Sequence, residues 1–413
     1  MDEQVQLPAA EPKRHAALGF IFVTVFIDVL GLGIIIPILP KLLEQLAHVD
    51  ISTAGQYSGY LTFVYAAMQF ICSPILGNLS DRYGRRPVLL LSLLGFGIDY
   101  LVMAFSPTLA WLFVGRIIAG IAGASTTTAT AYIADISTGD KRSANFGLVG
   151  AASGLGFILG IGMGGYLGSV GIKIPFMTAA GLALLNAAYG FFVLPESLPK
   201  EHRRKFEWKR ANPVGSLIRL HTYPVITGLI SAYTLVYIGQ KAVESVLAFY
   251  VIEKYKWTLS SISTLGIFIG VLLVSIQGGL IRVIIPRFGN QKTIVSGMIF
   301  YAIGLVLIAF ASHGWMMYVF MIPYCLGGIS GPALQGLITE KVNPNEQGEL
   351  QGALTSLVSI TTVIGPLLMT SLFHHFTEKG TSIYFPGAPY LLGAILMLIS
   401  AVIALYNFRK KAV

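Results

Sequence analysis

Charge is scarce in this sequence. Asp, Glu, Lys and Arg make up 11% of its 413 residues, against about 25% in a soluble domain. Hydrophobic residues make up 54%, and mean hydropathy is +0.72. No ordinary soluble core accounts for that balance, so the class is a membrane protein. Cysteine is nearly absent as well. Cys72 and Cys325 both lie in apolar runs without disulfide or metal-ligand spacing, and read as packing residues. The sequence carries no HExxH, no serine elbow, no phosphate loop and no histidine cluster within its apolar runs. Neither an enzyme nor a metal or cofactor is expected. The alternation of a β-barrel is missing too. The first apolar run is too long for a signal-peptide core and lacks a small-residue cleavage site after it, so it is expected to be retained.

What remains is apolar sequence in long runs. A bilayer-spanning helix needs roughly 20 such residues. Twelve segments qualify, at about 16–38, 56–79, 87–106, 109–134, 144–168, 174–194, 222–250, 262–284, 291–311, 315–338, 350–373 and 387–408. Their 46 Gly and 19 Pro are usual in transmembrane helices, where small residues let backbones approach. The net charge of +9 is unevenly spread. With a cytoplasmic N-terminus, 21 Lys/Arg fall on the cytoplasmic side. Five fall outside (Lys41, Lys173, Lys254, Lys256 and Lys379), and two, Arg116 and Lys241, lie inside the membrane. This is the positive-inside rule, so the basic balance reports topology, with both termini cytoplasmic, and no nucleic-acid partner is implied.

The chain also repeats at half its length. "AGIAGAS" (119–125) reads against "GGISGPA" (327–333), and "DRYGRRP" (81–87) against "PRFGNQK" (286–292). Gly160 falls opposite Gly365. Between the halves runs "PESLPKEHRRKFEWKRANP", a polar stretch that reads as a cytoplasmic linker. The expected fold is all-α: two pseudo-symmetric six-helix bundles, 1–194 and 222–413, joined by a linker over 195–221. Six-plus-six repeats are an architecture of secondary transporters, with substrate bound near the midplane between the halves.

The loop between segments 2 and 3 reads "GNLSDRYGRRPVLL". Its Gly77, Asp81, Arg82, Gly84, Arg85 and Arg86 resemble the signature loop of the major facilitator superfamily. Gly77 allows close helix approach, Asp81 suits a positive helix N-terminus, and Gly84 permits the tight turn. The resemblance implies the major facilitator fold, and a loop that latches the two halves on the cytoplasmic side when the transporter faces outward. "FIDVLGLGIIIPILP", "GIDYLVMAFS", "VGRIIAGIAGA", "GPALQG", "LQGALTSL" and "VIGPLL" extend it to the tetracycline/proton antiporter group. There it implies transport-pathway roles for Asp28, Asp99 and Arg116, with a proton gradient as the energy source. The antiporter glycine pattern of helix 5 matches Gly147, Gly156, Gly160, Gly164 and Gly165, but Ile161 stands at its proline position. The acid of helix 9 is absent, with Tyr301 roughly in its place, and Lys241 and Glu244 are additions. The first departure leaves uptake open beside export. The other two leave it open whether tetracycline is transported.

Five charges lie well inside the segments: Asp28, Asp99, Arg116, Lys241 and Glu244. Each costs about 2.5–3.5 kcal/mol at a helix centre, so each should face a cavity or a partner. Asp99 and Arg116 lie about eight residues on either side of one turn, at similar depth, and an ion pair is expected across that hairpin. Asp28 has no charge at helical spacing around it, and a lone buried carboxylate is suited to carry a proton. Lys241 and Glu244 share a helix face at i, i+3. Two readings stand for them: a self-neutralising pair, or a site where Lys241 holds an anionic or zwitterionic substrate while Glu244 supplies the missing acid. Gln69, Gln240 and Gln335 are candidates to orient the ligand, although membrane glutamines often only join helices. His374 and His375 are expected as an interfacial pair. The resulting expectation is a monomeric, proton-coupled transporter of a small molecule in the plasma membrane. Efflux of a drug-like substrate comes first, uptake of an organic anion second, and a non-transporting receptor last.

Overall fold

The computed structural model describes residues 11–123, 126–137, 139–206, 227–342 and 347–410. All regular structure among them is helical, as hydrocarbon demands: a backbone without water must satisfy its N–H and C=O groups within its own segment. Among the described residues, eleven helical stretches are long and apolar enough to cross a bilayer. One, Leu259–Phe310, has 52 residues, and a straight helix of that length would reach roughly 78 Å. It is broken at Gly289, with φ 77° and ψ 160°, so it makes two crossings and brings the total among the described residues to twelve.

Spans 1 to 6 are Glu11–Ala47, Ile51–Tyr83, Arg85–Phe105, Leu109–Ile136, Gly139–Val170 and Lys173–Val193. Spans 7 to 12 are Thr227–Tyr255, 259–288, 290–310, Gly314–Thr339, Gln347–Thr377 and Ala388–Lys410. The helices overrun the apolar segments that announce them. Span 2 starts where the Asp50 carboxylate accepts the Thr53 N–H at 3.0 Å, several residues before its first apolar run. Of the expected linker, the part from residue 207 lies outside the described residues. Gly84 turns the chain between spans 2 and 3 with φ 105° and ψ 160°. Gly289 takes the same kind of backbone at the equivalent place between spans 8 and 9. Both φ values favour glycine, so the half-length repeat is written in the backbone as well as the sequence.

In the first half, span 1 packs on span 5, span 3 on spans 4 and 6, and span 2 on span 4. In the second, span 7 packs on spans 11 and 12, and span 9 on spans 10 and 12. The halves meet through span 2 against span 11 and span 5 against span 8, two contacts that the repeat makes equivalent. Both are tight at their outer ends. A Cβ at Gly165 would overlap Ser263 of span 8, and one at Gly55 would lie 3.1 Å from Phe373 of span 11. Ser52 meets Thr377 at 2.7 Å and His374 Nδ1 at 3.0 Å. Along span 5 toward the cytoplasm the seam opens. A Cβ at Gly162 would sit 3.2 Å from Ile267, one at Gly154 3.9 Å from Val274, and one at Gly150 would meet nothing within 4 Å. Both seams are closed at their outer ends and the span 5 seam loosens toward the cytoplasm, the arrangement of an inward-facing transporter.

Candidate functional site

The turn between spans 3 and 4 sets them antiparallel, which brings Asp99 and Arg116 level. Arg116 Nη2 donates to Asp99 Oδ2 at 2.5 Å and lies 2.7 Å from Met103 Sδ. The two side chains are 1% and 8% exposed. Gly115 makes the approach possible, since a Cβ there would lie 2.7 Å from Asp99 Oδ1. The guanidinium stands 5.8 Å from the centre of the Tyr65 ring. Even so, Asp99 Oδ1 and Arg116 Nε are buried without a hydrogen-bond partner.

Asp28 of span 1 joins this cluster without pairing to it. Its Oδ1 is buried and has no partner, while Tyr65 and Tyr100 lie within reach of its charge. One turn on, Gly31 leaves room for the Tyr100 hydroxyl, which a Cβ would overlap. With neither counter-ion nor donor, that oxygen has only a proton or a substrate group to take.

The second half carries its own charged group. Lys241 Nζ lies 2.5 Å from Glu244 Oε2, but the side chains are unequally placed, 11% and 52% exposed respectively. The lysine stem lies on span 11, where a Cβ at Gly365 would come 2.5 Å from Lys241 Cγ. One residue earlier, Gln240 donates to the Tyr301 hydroxyl of span 9 at 2.9 Å. The Tyr301 ring meets Tyr324 of span 10 edge-on, 5.0 Å between centres. The tyrosine standing where an acid was expected is thus tied to the span that carries Glu244.

The other glutamines join helices. Gln69 donates to the Gly123 carbonyl at 3.1 Å, and Gln335 to Gln351 Oε1 at 2.8 Å. The helix 5 glycines form two seams. Gly156, Gly160 and Gly164 abut the Phe26, Leu30 and Ile34 carbonyls of span 1, while Gly165 faces span 8. Ile161, at the proline position, accepts the Ser263 hydroxyl on its carbonyl at 2.5 Å, and its side chain fills the place a Cβ would take at Gly266. The surroundings of Gly147 lie outside what the structure describes.

At the cytoplasmic loop, Arg85 is the hub. It bonds Asp81 at 2.6 Å, Asp135 at 3.2 Å and the Ser80 hydroxyl at 2.6 Å. Ser80 in turn donates to the Gly77 carbonyl at 2.7 Å. Glu196, beyond span 6, accepts the Arg85 N–H at 2.8 Å and occupies the space beside Gly84 that a side chain would need. Arg86 donates to the Phe191 carbonyl at 2.5 Å, and Arg82 lies over the Tyr83 ring. Every partner named here lies in the first half or, for Glu196, at the start of the linker that follows it. Sequence reasoning missed Asp135 and Glu196 because each is an ordinary polar residue near a helix end. It missed Tyr65, Tyr100 and Tyr324 because a membrane tyrosine carries no motif.

The chain matches the family model described as Major Facilitator Superfamily over residues 21–287 and 280–412. It is 39% identical over 388 residues to the tetracycline resistance protein, class C, of Escherichia coli, covering 94% of this chain and 96% of that protein. Against the class G tetracycline resistance protein of Vibrio anguillarum it is 35% identical over 376 residues, covering 90% and 93%. Among solved structures, a bacterial homologue of the human lysosomal transporter Spinster, inward-facing and unoccupied, superposes with a TM-score of 0.74 at 15% identity, over 97% of this chain and 96% of that one.

Proposed function

We propose, from the premise that this chain belongs to the Major Facilitator Superfamily, that it exports a small drug-like molecule across the cell membrane in exchange for protons. It is a multi-pass membrane protein, and its relatives are resistance proteins whose name carries tetracycline. The observation that carries the coupling is Asp28, a carboxylate oxygen buried in span 1 with nothing to satisfy it. In this reading the inward-facing state takes up substrate from the cytoplasm between residues 1–194 and 222–413. The two halves then rock about the site, with 195–221 as their tether. Protonation from outside and substrate from inside each favour a different state, and the exchange arises from that difference. Asp28 carries the proton. The Asp99–Arg116 pair holds span 4 in register with span 3 beside it, and the Arg85 network steadies the cytoplasmic end of the first half. One chain supplies both halves, so a monomer suffices.

Purified protein in proteoliposomes tests this. A pH gradient should drive substrate against the proton flow, where uptake would run with it. Asp28→Asn keeps the shape but cannot titrate, and should abolish gradient-driven flux while leaving substrate binding or exchange in place. Normal driven transport by that variant would remove Asp28 from the coupling path.

A further inference from the structure

Export leaves open what kind of molecule the central space accepts, and a substrate class for that space rests on the efflux reading. Of the five charges deep within the spans, three are buried and a fourth half-buried. Asp99 and Arg116 pair with one another, Lys241 is 9% exposed, and Asp28 is half-buried, with its Oδ1 turned away from solvent. Glu244 is the most exposed of the five, by about half of its side chain. A bare carboxylate is not tolerated against lipid, and span 7 packs against spans 1, 2, 10, 11 and 12. The exposed carboxylate therefore faces the space between the halves.

This orients the ion pair. Its positive end lies on Gly365 of span 11, where only a glycine leaves room for the lysine stem. Its negative end points into the cavity. A charge entering that space comes nearer the carboxylate than the ammonium, and because Coulomb energy falls with distance, cations are attracted and anions repelled. The surroundings hold the carboxylate in place. Gln240 tethers Tyr301 by its hydroxyl, Tyr301 packs edge-on against Tyr324, and both rings are buried, so they fix span 7 against spans 9 and 10 and leave Glu244 to meet the substrate.

We propose that Glu244 is a specificity-determining residue that recognises a positively charged group on a lipophilic substrate, with Lys241 as its buried partner and not an anchor for anions. The substrate class is an organic cation, such as a protonated or quaternary amine.

Tetraphenylphosphonium and tetraphenylborate share a shape and differ in sign, which makes them the probes. Binding is measured on the purified full chain in detergent, without a gradient. The wild type should bind the phosphonium saturably and the borate not at all. E244Q should lose about tenfold or more in phosphonium affinity and, with Lys241 unpaired, gain borate binding. Because E244Q strands a buried lysine, the double variant Lys241→Gln with Glu244→Gln serves as the folded control, neutral at both positions, and should bind neither ion. Unchanged phosphonium affinity in both variants overturns the proposal. So does saturable borate binding by the wild type that Lys241→Gln abolishes. Proton-driven flux of ethidium in proteoliposomes separates the two readings. Glu244-dependent phosphonium binding without driven flux keeps the site and removes export. Driven ethidium flux that E244Q leaves unchanged keeps export and removes Glu244.

Discussion

A buried charge is costly in proportion to what fails to satisfy it, and this chain shows three degrees of satisfaction. The Asp99–Arg116 pair is buried and bonded at 2.5 Å, Lys241 is bonded by a partner that stays exposed, and Asp28 Oδ1 has no partner. Removing one member of a buried pair leaves the other stranded, at a cost on the order of 3–5 kcal/mol. Asp99→Asn should therefore lower thermal stability in detergent markedly, and Asp99→Asn with Arg116→Gln should recover much of it. Thermal unfolding of the single and double variants checks this. A single variant as stable as the wild type would mean that Arg116 has another partner. Both aspartates were legible as membrane charges, and helix geometry from the hairpin placed Asp99 opposite Arg116. That Asp28 stays apart from them was not legible, since it depends on where span 1 lies against spans 3 and 4.

Among the elements, span 5 is the most informative, because its glycines serve two neighbours. Gly160 faces backbone, the Leu30 carbonyl of span 1, within one half. A backbone atom cannot swing aside, so Gly160→Ala should destabilise the fold, seen as a loss of folded protein on size-exclusion chromatography. Gly165 faces Ser263 and the Leu259 carbonyl of span 8, across the halves. Gly165→Ala should leave each half folded and open the outer seam, raising the labelling of thiols placed in the outer cavity. Equal loss of folded protein from both substitutions would contradict this division. The loop between spans 2 and 3 is a second such element. Arg85 ties Asp81 to Asp135, and its N–H reaches Glu196, far from the central space. Arg85→Ala or Asp81→Ala should slow transport with substrate affinity nearly unchanged. Flux measured beside equilibrium binding decides, and a large loss of affinity at unchanged turnover would count against it.

For the whole molecule, the state is set by where the halves touch. Ser52 and Thr377 bring hydroxyls from spans 2 and 11 to 2.7 Å at the outer end, within reach of a disulfide if both become cysteine. With Cys72 and Cys325 first replaced by serine or alanine, the pair Ser52→Cys and Thr377→Cys should cross-link on oxidation. Flux should stop, and reductant should restore it, because the cross-link holds the outer seam shut and alternation needs it to open. Undiminished flux from fully cross-linked protein would mean that the seam does not part during transport.

Composition alone determined the class, since 11% charged residues cannot clothe a soluble surface. Hydropathy and charge asymmetry determined the crossings and their direction, because insertion reads each segment locally. The signature loop and the half-length repeat determined the family, and the repeat returns in the matched backbones of Gly84 and Gly289. Tertiary structure decided what depends on residues far apart in the chain. Lys241 and Glu244 form an i, i+3 pair on any helix, and nothing local says which end meets the cavity. That was decided by Gly365, on another span, which leaves space for the lysine stem, while the carboxylate stays half exposed. The inward-facing state likewise belongs to no segment, because it lies in the balance of two seams, closed at their outer ends, with the seam along span 5 parting toward the cytoplasm.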